Sequence, residues 1–196
     1  MKKQISSARM SSIGYFSAIV KENHKKLLRL DDKLKTLQHQ RSKSKIEDDE
    51  LERKIFRQEY EIAKISFIVI VFSVMITESY IYDYAARHLG DSYVKKHLDQ
   101  LDTFRKWIKI PKLITGKELS RRQLWASPLQ KIIKVRNKIT HHKTQDVSIE
   151  NYQKSLSSSN EVKETALQSI SLLQILADKI SEIDPEETPW VQSFLY

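Results

Sequence analysis

Between Lys64 and Glu78 the chain holds a run, Ile65 to Ile76, in which only Ser66 and Ser73 interrupt large apolar residues. A helix through this run has no polar face, so other elements must wrap it on every side. The run itself is too short to span a bilayer, which takes about 20 residues. It therefore reads as the buried centre of a helical bundle. Acidic residues Glu47, Asp48, Asp49 and Glu50 crowd the start of the surrounding helical stretch, where they suit the positive end of a helix dipole. Gly90 is placed to stop it. The pattern predicts one helix from near Ile46–Asp48 to Leu89, about 40 residues long, with room for a kink or break.

Composition agrees with an all-α chain. Three glycines and four prolines among 196 residues are too few for a fold rich in strands or loops. The length suits one domain, with or without an extension. The lack of cysteine excludes a disulfide scaffold, a thiolate metal site and a cysteine nucleophile, and fits a reducing cytoplasm. Met1-Lys2-Lys3 is basic, but no apolar run of secretory type follows it.

Ahead of the central helix, Ile13, Phe16, Ile19/Val20, Leu27/Leu28, Leu30/Leu34 and Leu37 recur at threes and fours, predicting a helix from Ser12 to His39. The turn falls at Arg41–Lys45. This helix and the next, up to about Tyr60, form an antiparallel hairpin, so residues 1–59 are read as an extension and 60–196 as the main bundle. After Gly90, Asp91 and Ser92 cap a third helix, Tyr93 to Ile108, ended by Pro111. A basic loop follows to Arg122, with Lys109, Lys112, Lys117, Arg121 and Arg122 around Gly116. Ser127, Pro128 and Gln130 read as a capping box that opens a fourth helix. Ser155–Ser159 is a break. A last helix runs from Asn160 to Ile183, and Asp184-Pro185 stops it. The tail holds Trp190, Phe194, Leu195 and Tyr196, which are costly in water, so it is expected to dock on the bundle or a neighbour.

The fourth helix carries the chemistry. Leu129, Ile132, Ile133 and Ile139 share an apolar stripe, with Arg136 in its middle. A lone guanidinium there is costly, so it needs a carboxylate, a facing subunit or an anion. Glu78 lies level with Val71, Val74 and Ile81 on the central helix and is the natural partner, either as a structural ion pair or as part of a site; Asp83 and Arg87, four apart, can pair with each other. His141 follows Arg136 by five residues, with His142 behind it, and imidazole titrates near neutral pH. An anion-binding arginine beside a proton-transfer group suits phosphate chemistry. Lys131, Lys134 and Lys138 form a separate strip facing solvent or RNA. Residues 95–143 carry 14 basic and 3 acidic groups, a net of +11 in a chain of net +9, so the charge that attracts a polyanion is centred on this segment. Adjacent histidines on a helix cannot both face one ion, and no metal or cofactor is expected.

Arg136-Asn137 followed by His141, late in an all-α chain, resembles the Arg-x4-6-His signature of the HEPN family. Glu78-Ser-Tyr-Ile-Tyr-Asp-Tyr, followed by a basic third helix, is similar to HEPN proteins of bacterial defence and toxin systems. The likeness covers roughly residues 60–183. It implies an up-down bundle of roughly five helices, here with the long N-terminal hairpin. It also implies a metal-independent endoribonuclease, homodimeric with its site at the interface, in the cytoplasm and not in a membrane. Arg136 would bind the scissile phosphate, His141 or His142 would move the proton, Asn137 would orient them and Glu78 would position Arg136. Lys143, Arg121 and Arg122, with the three lysines above, would meet RNA. An antitoxin or defence-system partner is implied, although Lys143 stands where toxins paired with nucleotidyltransferase antitoxins carry Tyr. The same resemblance allows a non-catalytic dimerisation or RNA-binding module.

Overall fold

A computed structural model describes residues 11–44, 48–120, 122–141 and 160–195. They form α1 (Ile13–Lys43), α2 (Asp49–Leu89), α3 (Asp91–His97), α4 (Thr103–Thr115), α5 (Ala126–Thr140), α6 (160–167), α7 (Ser169–Ile183), a short 3-10 turn (Pro185–Glu187) and α8 (Thr188–Leu195). No strand occurs among the described residues. Helices outnumber the five or so expected because the third and last are each divided.

α2 is the axis. Its start is fixed by the Asp48 carboxylate, which accepts the N–H groups of Glu50 and Leu51 at 3.0 and 3.1 Å. It continues unbroken for 41 residues, about 60 Å. Gly90, at φ 84°, ends it in a conformation that L side chains rarely adopt. By length and composition α2 could cross a membrane, with a window of mean hydropathy 1.9, and half of that window is buried by the rest of the protein. The apolar run alone is shorter than a bilayer; the helix containing it is not.

α1 lies antiparallel along α2 for its whole length. Arg41 pairs with Glu52 at one end (2.6 Å), and Gln58 donates to the Leu30 carbonyl midway (2.8 Å). Phe16 meets Phe72 near the other end, with ring centroids 5.6 Å apart. Ile13, Val20, Leu27 and Leu34 are buried at the spacing expected of one apolar face. Ile13 shares a small cavity with Ile76, Tyr80, Trp107 and Leu173, so the start of α1 belongs to the same core as α4 and α7. No break in α2 marks residue 59.

The third helix is two helices. Its expected stripe, Val94, Leu98, Leu101, Phe104 and Ile108, runs through a turn at Leu98–Asp102. The Asp102 carboxylate accepts the Arg105 N–H (2.8 Å), so a new helix starts at Thr103. Pro111 lies inside α4 and does not end it, because Trp107, Ile108, Ile110 and Pro111 itself are all buried there. The end comes at Gly116, left-handed at φ 74°. α5 also departs from expectation. It begins at Ala126, the Trp125 N-cap makes no side-chain capping bond, and Ser127-Pro128 fall in the first turn. Trp125 is fully buried and donates from Nε1 to Gln123 (3.1 Å), which draws the chain into helix early.

Asp184-Pro185 stops α7 as expected, and the start of the tail docks through Glu187 and Val191; Trp190 stays half exposed, and the side chains of Phe194, Leu195 and Tyr196 lie outside what is described. Glu187 is buried and takes Arg87 Nη2 at 2.8 Å and the Tyr80 hydroxyl at 3.2 Å, while a shorter bond joins it to Arg87 Nη1. Arg87 also donates to Asp83 (3.1 Å), the expected i,i+4 pair, and stacks on Trp190 at 4.9 Å. Tyr84 donates to Asp184 (2.7 Å). Burial alone would raise the Glu187 pKa; hydrogen bonds and charge from Arg87 outweigh it and hold the carboxyl below its ordinary value. Burial raises both tyrosines, aided by their carboxylate partners.

Candidate functional site

Three helix segments meet at Arg136. It stands on the inner stripe of α5, where Leu129, Ile132 and Val135 are buried and Ile133 and Ile139 half-buried. Its Nη2 donates to Glu78 Oε1 on α2, the carboxylate that the sequence names for it. Thr103, at the start of α4, donates its hydroxyl to the same Oε1 at 2.9 Å and fixes the carboxylate. The Arg136 side chain is 23% exposed and that of Glu78 36%. Arg136 Nε is buried with no hydrogen-bond partner among the described residues. Such an orphan donor is rare in a relaxed interior. The pair closes within one chain, as a purely structural role for Arg136 also requires.

His141 caps the C-terminal end of α5, its N–H donating to the Asn137 carbonyl at 3.0 Å. Its side chain is exposed. It stands at one end of an open groove of about 530 Å³ between the start of α4 and the outer face of α5. Asp102, Thr103 and Phe104 form one wall; Gln130, Ile133, Lys134, Asn137 and Lys138 form the other. Lys134, Asn137 and Lys138 are exposed, and Lys138 is 3.6 Å from Glu161. Asp102, the acidic residue on the wall, already pairs with Arg105 at 3.1 Å.

Arg136 and His141 do not share this groove. Five residues of helix turn through about 140°, so the guanidinium faces α2 while the imidazole faces the groove. Thr103 links the two, lining the groove and binding Glu78. A second groove, of about 670 Å³, opens on the other side of Glu78, between α2 and the Leu101–Thr103 turn. Lys131 is half-buried on α5, and Arg122 is exposed before it. His142, Lys143 and Arg121 lie outside the described residues. Among the described residues no cluster of three or more His, Asp or Glu is arranged to hold a metal ion.

Asp102, Thr103, Phe104, Gln130 and Ile133 are the lining residues that sequence reading missed. Gln130 is read there as part of a capping box; it is exposed and lines the groove instead. Gln130, Lys134, Asn137 and His141 recur at fours and threes, and that spacing was the available signal.

The class defined by these features is an all-α protein built on a long antiparallel hairpin, with a basic outer helix end. No family model, curated protein or solved structure matches the chain.

Proposed function

We propose that this chain is a HEPN-type, metal-independent endoribonuclease of the toxin or phage-defence kind, acting as a cytoplasmic homodimer. The observation that carries the reading is Arg136. Among the described residues its side chain is held by Glu78 and its Nε has no partner, on the helix whose end presents an exposed histidine to a cation-flanked groove. His141 takes the proton of a ribose 2′-hydroxyl, whose oxygen attacks the phosphorus. The bond to the 5′-oxygen breaks, and that oxygen leaves with a proton. The products are a 2′,3′-cyclic phosphate and a 5′-hydroxyl. Arg136 stabilises the charge that builds on the phosphate. Asn137 orients the phosphate, Glu78 positions Arg136, and Lys131, Lys134, Lys138 and Arg122 hold the strand.

Homodimerisation joins what one chain keeps apart, since two Arg136–His141 sets meet across a shared face. An apolar strip on α2 supports this. Phe67 is 41% exposed, and Val71 and Met75, one and two turns on, are half-buried and lead towards Glu78.

Incubation of RNA with the protein in EDTA tests the proposal. Cleavage to cyclic-phosphate ends, lost in folded His141→Ala and Arg136→Ala, is the expected result. Absence of cleavage at any enzyme concentration overturns it. The second reading, a non-catalytic dimerisation or RNA-binding module in a defence complex, is favoured by the intrachain Glu78–Arg136 pair. In that case the same variants alter binding only.

A further inference from the structure

The groove beside His141 has the features of a binding site for unpaired bases. Its floor is apolar, with Phe104 from α4 and Ile133 from α5, and such a surface takes the flat face of a base that no partner strand covers. Lys134 and Lys138 are one helical turn apart, about 6 Å along the axis, and both are exposed on the same flank. They suit successive phosphates of one strand, for which Lys138 exchanges its 3.6 Å contact with Glu161, while Asp102 on the opposite wall is offset by Arg105. At the end remote from His141 stands Gln130, exposed, its expected capping box not formed because α5 starts ahead of Ser127. A carboxamide offers a donor and an acceptor side by side. That pair matches adenine, which presents N7 as acceptor and its N6 amine as donor.

We infer that this groove binds single-stranded RNA and reads an adenine with the Gln130 amide. The inference rests on the ribonuclease reading for its purpose, though not for its test. The adenine lies upstream or downstream of the cut by the distance from Gln130 to His141, eleven residues of α5 or about 16 Å along the axis. That span places it a few nucleotides from the scissile phosphate, with the intervening phosphates on Lys134 and Lys138. A duplex is excluded because stacking covers the base faces that Phe104 and Ile133 would meet, and because the N7/N6 edge of a paired adenine lies in the deep, narrow major groove of A-form RNA, which side chains do not reach.

The test measures binding and cleavage separately on the full chain. Fluorescent eight-nucleotide oligoadenylate, oligouridylate and a duplex of the two are titrated in EDTA at low salt, with wild type, Gln130→Ala and Gln130→Glu. Wild type is expected to prefer oligoadenylate over oligouridylate by ~10-fold, the order of one good amide–base pair, and to bind the duplex more weakly. Gln130→Ala is expected to remove the preference while retaining the binding supplied by the lysines. Gln130→Glu, which keeps the acceptor and loses the donor, is expected to weaken oligoadenylate most. Equal binding of the two single strands by wild type, an unchanged preference in Gln130→Ala, or no binding of either strand overturns the inference. The same mixtures are then assayed for cyclic-phosphate ends on mixed-sequence RNA. Adenine preference without cleavage upholds the groove and sinks the nuclease; cleavage without adenine preference does the reverse.

Discussion

α2 carries two arginine–carboxylate pairs within a few turns of each other, and they are built in opposite ways. In one, Arg87 donates Nε to Asp83 and both terminal nitrogens to Glu187, and Tyr80 adds a further donor to the carboxylate. Glu187 is only 3% exposed. In the other, among the described residues, Arg136 makes one side-chain bond to a carboxylate 36% exposed, and its Nε has no partner. The first engages all three guanidinium nitrogens, two of them to fasten the tail onto the bundle. The second holds a guanidinium in place while leaving hydrogen-bonding capacity over. The first pair is close to saturated; the second leaves a buried donor unused among the described residues.

The contrast breaks most visibly at Glu187. Glu187→Ala leaves half-buried Arg87 without its main partner, and stability is expected to fall by ~3 kcal/mol, read from the midpoint of urea unfolding. Acid acts on the same carboxylate. Its pKa is lower folded than its ordinary value of 4.5, so its contribution is complete above that value and disappears as pH falls through the folded one. Melting temperatures taken from about pH 6 down to pH 3 should drop in wild type, and Glu187→Gln should flatten part of that drop. At the other pair, Glu78→Ala is expected to cost ~1 kcal/mol, because the pair is partly solvated. A loss as large as that of Glu187→Ala would assign both pairs the same structural duty. His141→Ala is expected to shift stability by less than ~0.5 kcal/mol, as for an exposed side chain, while removing RNA cleavage altogether. Cleavage that survives this change would leave the unsaturated pair without its proposed partner in chemistry.

The central hairpin was legible because its signals are local and repeat many times. The apolar run, the acidic first turn and Gly90 each mark α2, and the stripe from Ile13 to Leu34 marks α1. The Glu78–Arg136 pair was legible for a different reason. Each charge sits on an apolar stripe and needs an opposite, and few candidates exist. The α3–α4 break was not legible, since the apolar stripe continues across it and only the Asp102 cap betrays it. Ser127-x-x-Gln130 has the form of a cap but Ser127 lies within the first turn, two residues past the actual N-cap, because burial of Trp125 moved the start. Glu187 gave no warning. Its partners lie 100 or more residues away on α2, and that distance is invisible to any local pattern. The groove escaped for the same reason, being a junction between two helices and not a property of either.

An unbroken α2 also makes the molecule a lever. From Asp49 to Glu78 runs about 44 Å of continuous helix, braced by α1 over nearly all of it. Whatever grips the far tip, near Ser44 and Asp48, thereby grips the carboxylate that sets the angle of Arg136. Neither glycine nor proline interrupts the rod, so the helix has no hinge residue between its tip and that carboxylate.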